Sequence, residues 1–167
     1  MSDRPFNTEE PLAYFVTWTC YGTWLPGDER GWHQWGKGGA RPPCEPLQKF
    51  AKSQMKEPEF LLTVDNRQVV EATVEEHCKI RNWLLHEVSA RSNHVHVIAT
   101  ASGYPPETVR DQLKAWCTRK LKASYPKREH FWTEGASCRY INHEADLESA
   151  IAYVREAQDR KGLEDQY

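Results

Sequence analysis

The chain has 167 residues, 39% of them hydrophobic, and its 22 basic and 24 acidic side chains leave a formal charge of −2. That length supports one core and not two comfortable domains. The near-neutral balance argues against a protein that coats nucleic acid indiscriminately, and no run of about 18 apolar residues offers a membrane-spanning helix.

Met1-Ser2-Asp3-Arg4-Pro5 lacks the basic-then-apolar order of a secretory leader, so a cytoplasmic protein is expected. The five cysteines (Cys20, Cys44, Cys78, Cys117, Cys138) are scattered and never form Cys-x-x-Cys. They read as reduced thiols rather than as a zinc or disulfide framework.

In chain order, Leu12 to Cys20 is dense in aromatic and β-branched residues, which predicts a central strand buried on both faces. Clustered Gly and Pro from Tyr21 to Pro46 forbid regular structure and predict a long excursion with its own aromatic anchors. A short helix is expected around Leu47 to Lys56. Asp65-Asn66-Arg67-Gln68 resembles a capping box, and Val70, Val74 and Cys78 carry a helix from it to about Trp83. Leu85–Ala90 and His94–Ala101, separated by Arg91-Ser92-Asn93, read as an antiparallel hairpin.

A further helix starts near Pro105-Pro106-Glu107 with the stripe Val109, Leu113, Trp116, Cys117 and Leu121, and it ends before Pro126. Arg139-Tyr140-Ile141 is a last short strand. Asn142 is placed to cap a final helix with Leu147, Ile151 and Val154 on one face and Tyr153 at its edge. The order predicts an α+β fold: a ferredoxin-like βαββαβ antiparallel sheet with helices on one face and an added C-terminal helix.

Three features carry chemistry. His94-Val95-His96 opens a strand, so both imidazoles project from one side and can close on one divalent ion, or serve as partly buried histidines bonded to backbone. From Val109 to Arg128, seven basic residues (Arg110, Lys114, Arg119, Lys120, Lys122, Lys127, Arg128) face the single acid Asp111, giving either a solvated helix face or a surface for phosphates. In the excursion, Trp24, Trp32 and Trp35 can stack on unpaired bases or anchor the loop. Arg30, Lys37 and Arg41 beside them are candidate DNA contacts, as are Lys114, Arg119 and Lys122 on the helix.

His94-Val95-His96 on a strand, the helix after it, and Tyr153 in the late segment Ala150-Ile151-Ala152-Tyr153-Val154-Arg155-Glu156-Ala157-Gln158 together resemble the single-tyrosine HUH transposases, REP-associated branch. The opening Phe15-Val16-Thr17-Trp18-Thr19-Cys20-Tyr21-Gly22-Thr23-Trp24-Leu25-Pro26-Gly27-Asp28-Glu29-Arg30-Gly31 is similar to a first strand and following segment of one bacterial group of these proteins, and the resemblance covers roughly Leu12 to Gln158.

It implies a single HUH endonuclease domain over residues 1–167, with an inserted loop region at 21–64. The implied activity is cleavage and rejoining of single-stranded or hairpin DNA, such as palindromic element ends, through a 5′-phosphotyrosine link made by Tyr153. The implied cofactor is Mg²⁺ or Mn²⁺ held by His94 and His96.

The family pattern places a polar third ligand, commonly glutamine, four residues after the tyrosine, where this chain has Ala157. Gln158 falls on the arc of Leu147, Ile151 and Val154 at 100° per residue and is the favoured substitute, with Glu156 in reserve. Monomer and homodimer are both compatible with the resemblance, and DNA binding would place the protein at the nucleoid. The competing readings are a DNA-binding protein that has lost catalysis and a Rep-like nicking initiator.

Overall fold

The computed structural model describes residues 10–34 and 37–157. Its elements are β1 (Ala13–Thr19), α1 (Glu45–Ser53), α2 (Val64–Arg81), β2 (Leu84–Ala90), β3 (His94–Thr100), α3 (Pro106–Leu121), β4 (Ser137–Ile141) and α4 (Glu144–Ala152), which runs into a π-helical turn over Tyr153–Ala157. The four strands form one antiparallel sheet in the order β2-β3-β1-β4, so the α+β sheet expected from the element order is present. No helix of the described residues is long and apolar enough to cross a membrane.

Strand alternation sorts the two faces. Tyr14, Val16 and Trp18 of β1 and Val95, Val97 and Ala99 of β3 point into the main core, where Val70, Val74 and Cys78 of α2 and Val109, Leu113, Cys117 and Leu121 of α3 meet them. Ala13 of β1, Ile98 of β3 and Ile141 of β4 point the other way and form a second cluster with Val154, against which Phe15, Leu147, Ala150 and Ile151 pack. As expected of a ferredoxin-like core with an added C-terminal helix, α2 and α3 cover one face, and α4 with its π turn covers part of the other. The expectation that β1 is buried on both faces is corrected, because Phe15, Thr17 and Thr19 are only partly covered.

Local chemistry explains most boundaries, with three departures from the sequence pattern. Thr63, not Asp65, caps α2: its side chain accepts from the Asn66 N–H, leaving Asp65 in the first turn to interact with the helix dipole. The helix ends at Asn82, whose φ of 57° is left-handed, and the Trp83 N–H reaches back to the Cys78 carbonyl as in a Schellman closure. His143 rather than Asn142 caps α4, without a side-chain bond. Trp116 leaves the buried stripe of α3, lying 38% exposed under the Arg119 guanidinium.

The excursion is held by its own contacts. The nearly buried Asp28 pairs with Arg30, Trp24 donates to the Gly31 carbonyl, and Trp32 donates to the Pro42 carbonyl. Gly27 sits at φ 89°, and a Cβ there would lie 2.3 Å from the Cys44 carbonyl oxygen, so the loop closes onto the start of α1 only with glycine.

The corrected cap gives a direct test. In urea unfolding, Thr63→Ala should lose about 1 kcal/mol, the usual cost of deleting a capping hydroxyl. Asp65→Asn should lose only a few tenths.

Candidate functional site

The turn Arg91-Ser92-Asn93 fixes the start of β3. The Cys20 N–H donates to the Asn93 carbonyl at 2.8 Å, the Leu62 N–H donates to the Ser92 carbonyl at 2.8 Å, and Ser92 is fully buried. His94 and His96 follow on the face opposite Val95 and Val97, with ring centroids 4.7 Å apart.

Both rings engage Nδ1. That of His94 lies 2.6 Å from Asn93 Oδ1, an acceptor, so His94 donates from Nδ1 and carries its lone pair on Nε2. That of His96 lies 2.7 Å from Thr17 Oγ1, its cross-strand neighbour. Such a bond on one ring nitrogen orients the other toward a ligand.

Burial pushes the His94 imidazole down to about 4, with Arg91 adding to the effect. It pushes His96 down to about 3, with His94 and Arg91 adding. Both rings are therefore neutral at pH 7, the form that ligates metal. Phe15 meets the His96 ring edge-to-face at 5.4 Å and contributes to its desolvation.

Tyr153 stands over this face at the junction of α4 and the π turn. Its ring centroid is 6.2 Å from that of His96 and 6.5 Å from that of Phe15, and the residue is 47% exposed. Next to it, Val154 is fully buried against Ala13, Ile98 and Ile141. Burying a valine side chain is worth about 1.5–3 kcal/mol, enough to hold the turn in one rotation over the sheet. Arg155 pairs with Glu87 of β2, tying the turn to the far strand.

The other described tyrosines lie elsewhere. Tyr14 donates to the Tyr104 carbonyl on the α2–α3 side, Tyr140 packs edge-on against Tyr14, Tyr21 stacks on His130, and Tyr125 joins Phe60 and Phe131 in the main core.

Gln158, the favoured third ligand, lies outside the described residues, as does Trp35. Glu156 is described and exposed. Among the described residues, no group of three His, Cys, Asp or Glu converges on a metal position. The donor set seen is two neutral imidazoles, which can serve a divalent ion with the remaining positions open to water, phosphate or a further side chain.

The proposed DNA contacts are not gathered at the histidines. Lys114, Arg119 and Lys122 belong to α3 or its C-terminal end, and α3 packs on the opposite face of the sheet. Lys114 does not project into solvent: its ammonium donates to the Thr133 and Gly135 carbonyls at 2.9 and 2.8 Å, and burial lowers it to about 8. Arg30 lies over Trp24 at 4.2 Å and Arg41 over Trp32 at 5.6 Å, so both tryptophans already carry a cation on one face. Lys37 is exposed. Trp24 and Lys114 do share a cavity of about 500 Å³ with Tyr21, His130 and Trp132.

The antiparallel sheet thus carries a histidine pair on its open face, with the turn that bears Tyr153 lying across it. A family model described as IS200-like transposase matches residues 54–157, and the chain belongs to that family. A REP-associated tyrosine transposase bound to a REP hairpin shares the fold, with a TM-score of 0.56 at 10% identity over 97% of this chain and 75% of that one. A candidate transposase from Deinococcus radiodurans aligns with a TM-score of 0.47 at 11% identity over 99% and 98% of the two chains. Comparison with curated proteins finds no match.

The resemblance read from His94-Val95-His96 and Tyr153 is thus borne out at the level of family and fold. The family match begins after β1 and most of the excursion, so the opening segment lies outside it. Sequence reasoning missed Thr17, Asn93 and Phe15, which orient or desolvate the imidazoles. Strand register is the one signal that could have found Thr17 and Phe15.

The buried neutral imidazoles set an acid limit. Unfolded histidine titrates near 6.5, above both folded values, so between about 6.5 and 3 the unfolded chain binds more protons. The stability present above 6.5 is lost as pH falls through that window. The urea midpoint of metal-free protein should decline steeply from pH 6.5 to 4, and in a His94→Asn/His96→Asn variant that decline should flatten.

Proposed function

We propose that this transposase is a metal-dependent single-strand DNA endonuclease and strand transferase in which Tyr153 is the nucleophile and His94 and His96 hold the metal. The observation that carries the reading is the approach of the exposed Tyr153 ring to within 6.2 Å of the His96 ring on the open face of the sheet.

The Tyr153 hydroxyl attacks a backbone phosphorus in line. A bond forms from Tyr153 Oη to phosphorus, the bond from phosphorus to the 3′-oxygen breaks, the phenol proton leaves, and the released 3′-oxygen takes up a proton. The product is a 5′-phosphotyrosine link and a free 3′-hydroxyl. Attack by another 3′-hydroxyl reverses the exchange and joins strands, with no bond energy lost and no nucleotide triphosphate consumed.

A bound divalent ion supplies Lewis-acid polarisation of the non-bridging phosphate oxygens. A phenol with a reference pKa of about 10 needs that help near neutral pH. His94 and His96 contribute neutral Nε2 donors, oriented by Asn93 and Thr17. Partial exposure leaves the tyrosine reachable by a strand, and the buried Val154 prevents it from turning away.

Gln158, which lies outside the described residues, is proposed as the third ligand on its place in the sequence arc of Leu147, Ile151 and Val154 and on its amide oxygen, a donor that Ala157 lacks. The substrate class is single-stranded or hairpin DNA, supported by the family and by the hairpin bound to the REP-associated relative.

The test is a denaturing gel after incubation with Mn²⁺ and hairpin oligonucleotides from the DNA flanking the gene. Wild type should form a protein–DNA adduct that Tyr153→Phe abolishes. His96→Ala should reduce adduct formation at least 100-fold, in line with loss of a metal ligand or its orienting shell. An adduct that survives Tyr153→Phe would refute the assignment, and binding without any adduct would favour the DNA-binding protein that has lost catalysis.

A further inference from the structure

We propose that Arg139 and Ser137, at the β4 edge of the site face, form a phosphate subsite for the nucleotide next to the one that Tyr153 attacks. The inference rests on Tyr153 as nucleophile and comes from the register of the sheet. Ser89, His96, Thr17 and Ser137 stand opposite one another in one row across the four strands, and Glu87, Ile98, Phe15 and Arg139 form the next row.

The facing of β4 is fixed by its neighbours. Cys138 packs on the main core and Tyr140 on Tyr14, so both point toward α2 and α3. Ile141 joins the cluster under Val154 on the opposite face. Ser137 and Arg139 alternate with Cys138 and Tyr140 and therefore share the face of Phe15, His96 and Tyr153.

Arg139 is a cation suited to this task. It is exposed, and among the described residues no carboxylate pairs with it. Arg155, the cation on the π turn, is committed to Glu87. A guanidinium offers two parallel donors to phosphate oxygens, and the Ser137 hydroxyl two residues away supplies a further donor on the same face.

Distance decides which phosphate is meant. Two strand spacings and one two-residue step separate His96 from Arg139, about 12 Å between Cα atoms. The side chain starts beside Phe15, on whose ring Tyr153 leans. That separation suits the phosphate next to the one held at the histidines. The open β4 edge thereby becomes the direction in which the strand leaves the site.

The experiment measures hairpin binding by fluorescence anisotropy against KCl concentration in a Tyr153→Phe background, where no strand is cut. Losing one phosphate contact to a single strand should make the slope of log K on log salt shallower by about 0.7. Between 50 and 200 mM KCl, Tyr153→Phe/Arg139→Ala should then lose about 2.6-fold less affinity than its parent. Arg139→Lys should keep the parental slope.

With Tyr153 intact, Arg139→Ala should need more DNA to reach half-maximal adduct formation, and its Mn²⁺ affinity should not change. An unchanged salt slope overturns the subsite. A rate that collapses at saturating DNA also overturns it, by placing Arg139 on the reacting phosphate. If wild type forms no adduct while the slope still responds to Arg139, the nucleophile assignment fails and the phosphate contact stands.

Discussion

The clamping of β3 between β1 and β2 is the constraint on which the site depends. With antiparallel ladders on both sides, the strand cannot rotate or slip by one residue without turning Val95 and Val97 out of the core and both imidazoles into it. The buried turn at Ser92, held by the Cys20 and Leu62 N–H groups, fixes where that strand begins. Core packing on one face therefore specifies the position of the histidines on the other.

From that constraint follows the electrostatic character of the site. The rings are desolvated by Phe15, by each other and by the turn above them, so they stay neutral and present nitrogen rather than charge. Tyr153 is placed differently. Its neighbour Val154 carries the burial, which leaves the phenol half open. Such a division, in which one side chain anchors the turn and the next remains accessible, suits the nucleophile proposed for Tyr153. The π turn suits this position because π-helical segments are short and strained, and they recur at functional sites.

Charge is distributed less simply than the basic stretch of α3 suggests. That helix packs behind the sheet, and one of its lysines satisfies two loop carbonyls. In the excursion, the arginines lie over tryptophans and the aspartate beside them, building the loop from within. Exposure and register, more than net charge along the chain, decide which cations share a face with the histidines.

Local composition, periodicity and turn residues located the strands and helices in their order along the chain, because alternation, helical repeat and Gly/Pro punctuation are local properties of the sequence. His94-Val95-His96 stood out as a strand motif, whereas Tyr153 was singled out through the family resemblance. Small displacements arose where two caps compete: Thr63 wins over Asp65 because its hydroxyl reaches the Asn66 N–H, a geometric fact that composition does not encode.

Only tertiary structure paired Thr17 with His96, brought Phe15 beside it, and showed Lys114 turned inward. Those outcomes depend on register between strands distant in sequence, and register is set by the fit of whole faces rather than by any single segment.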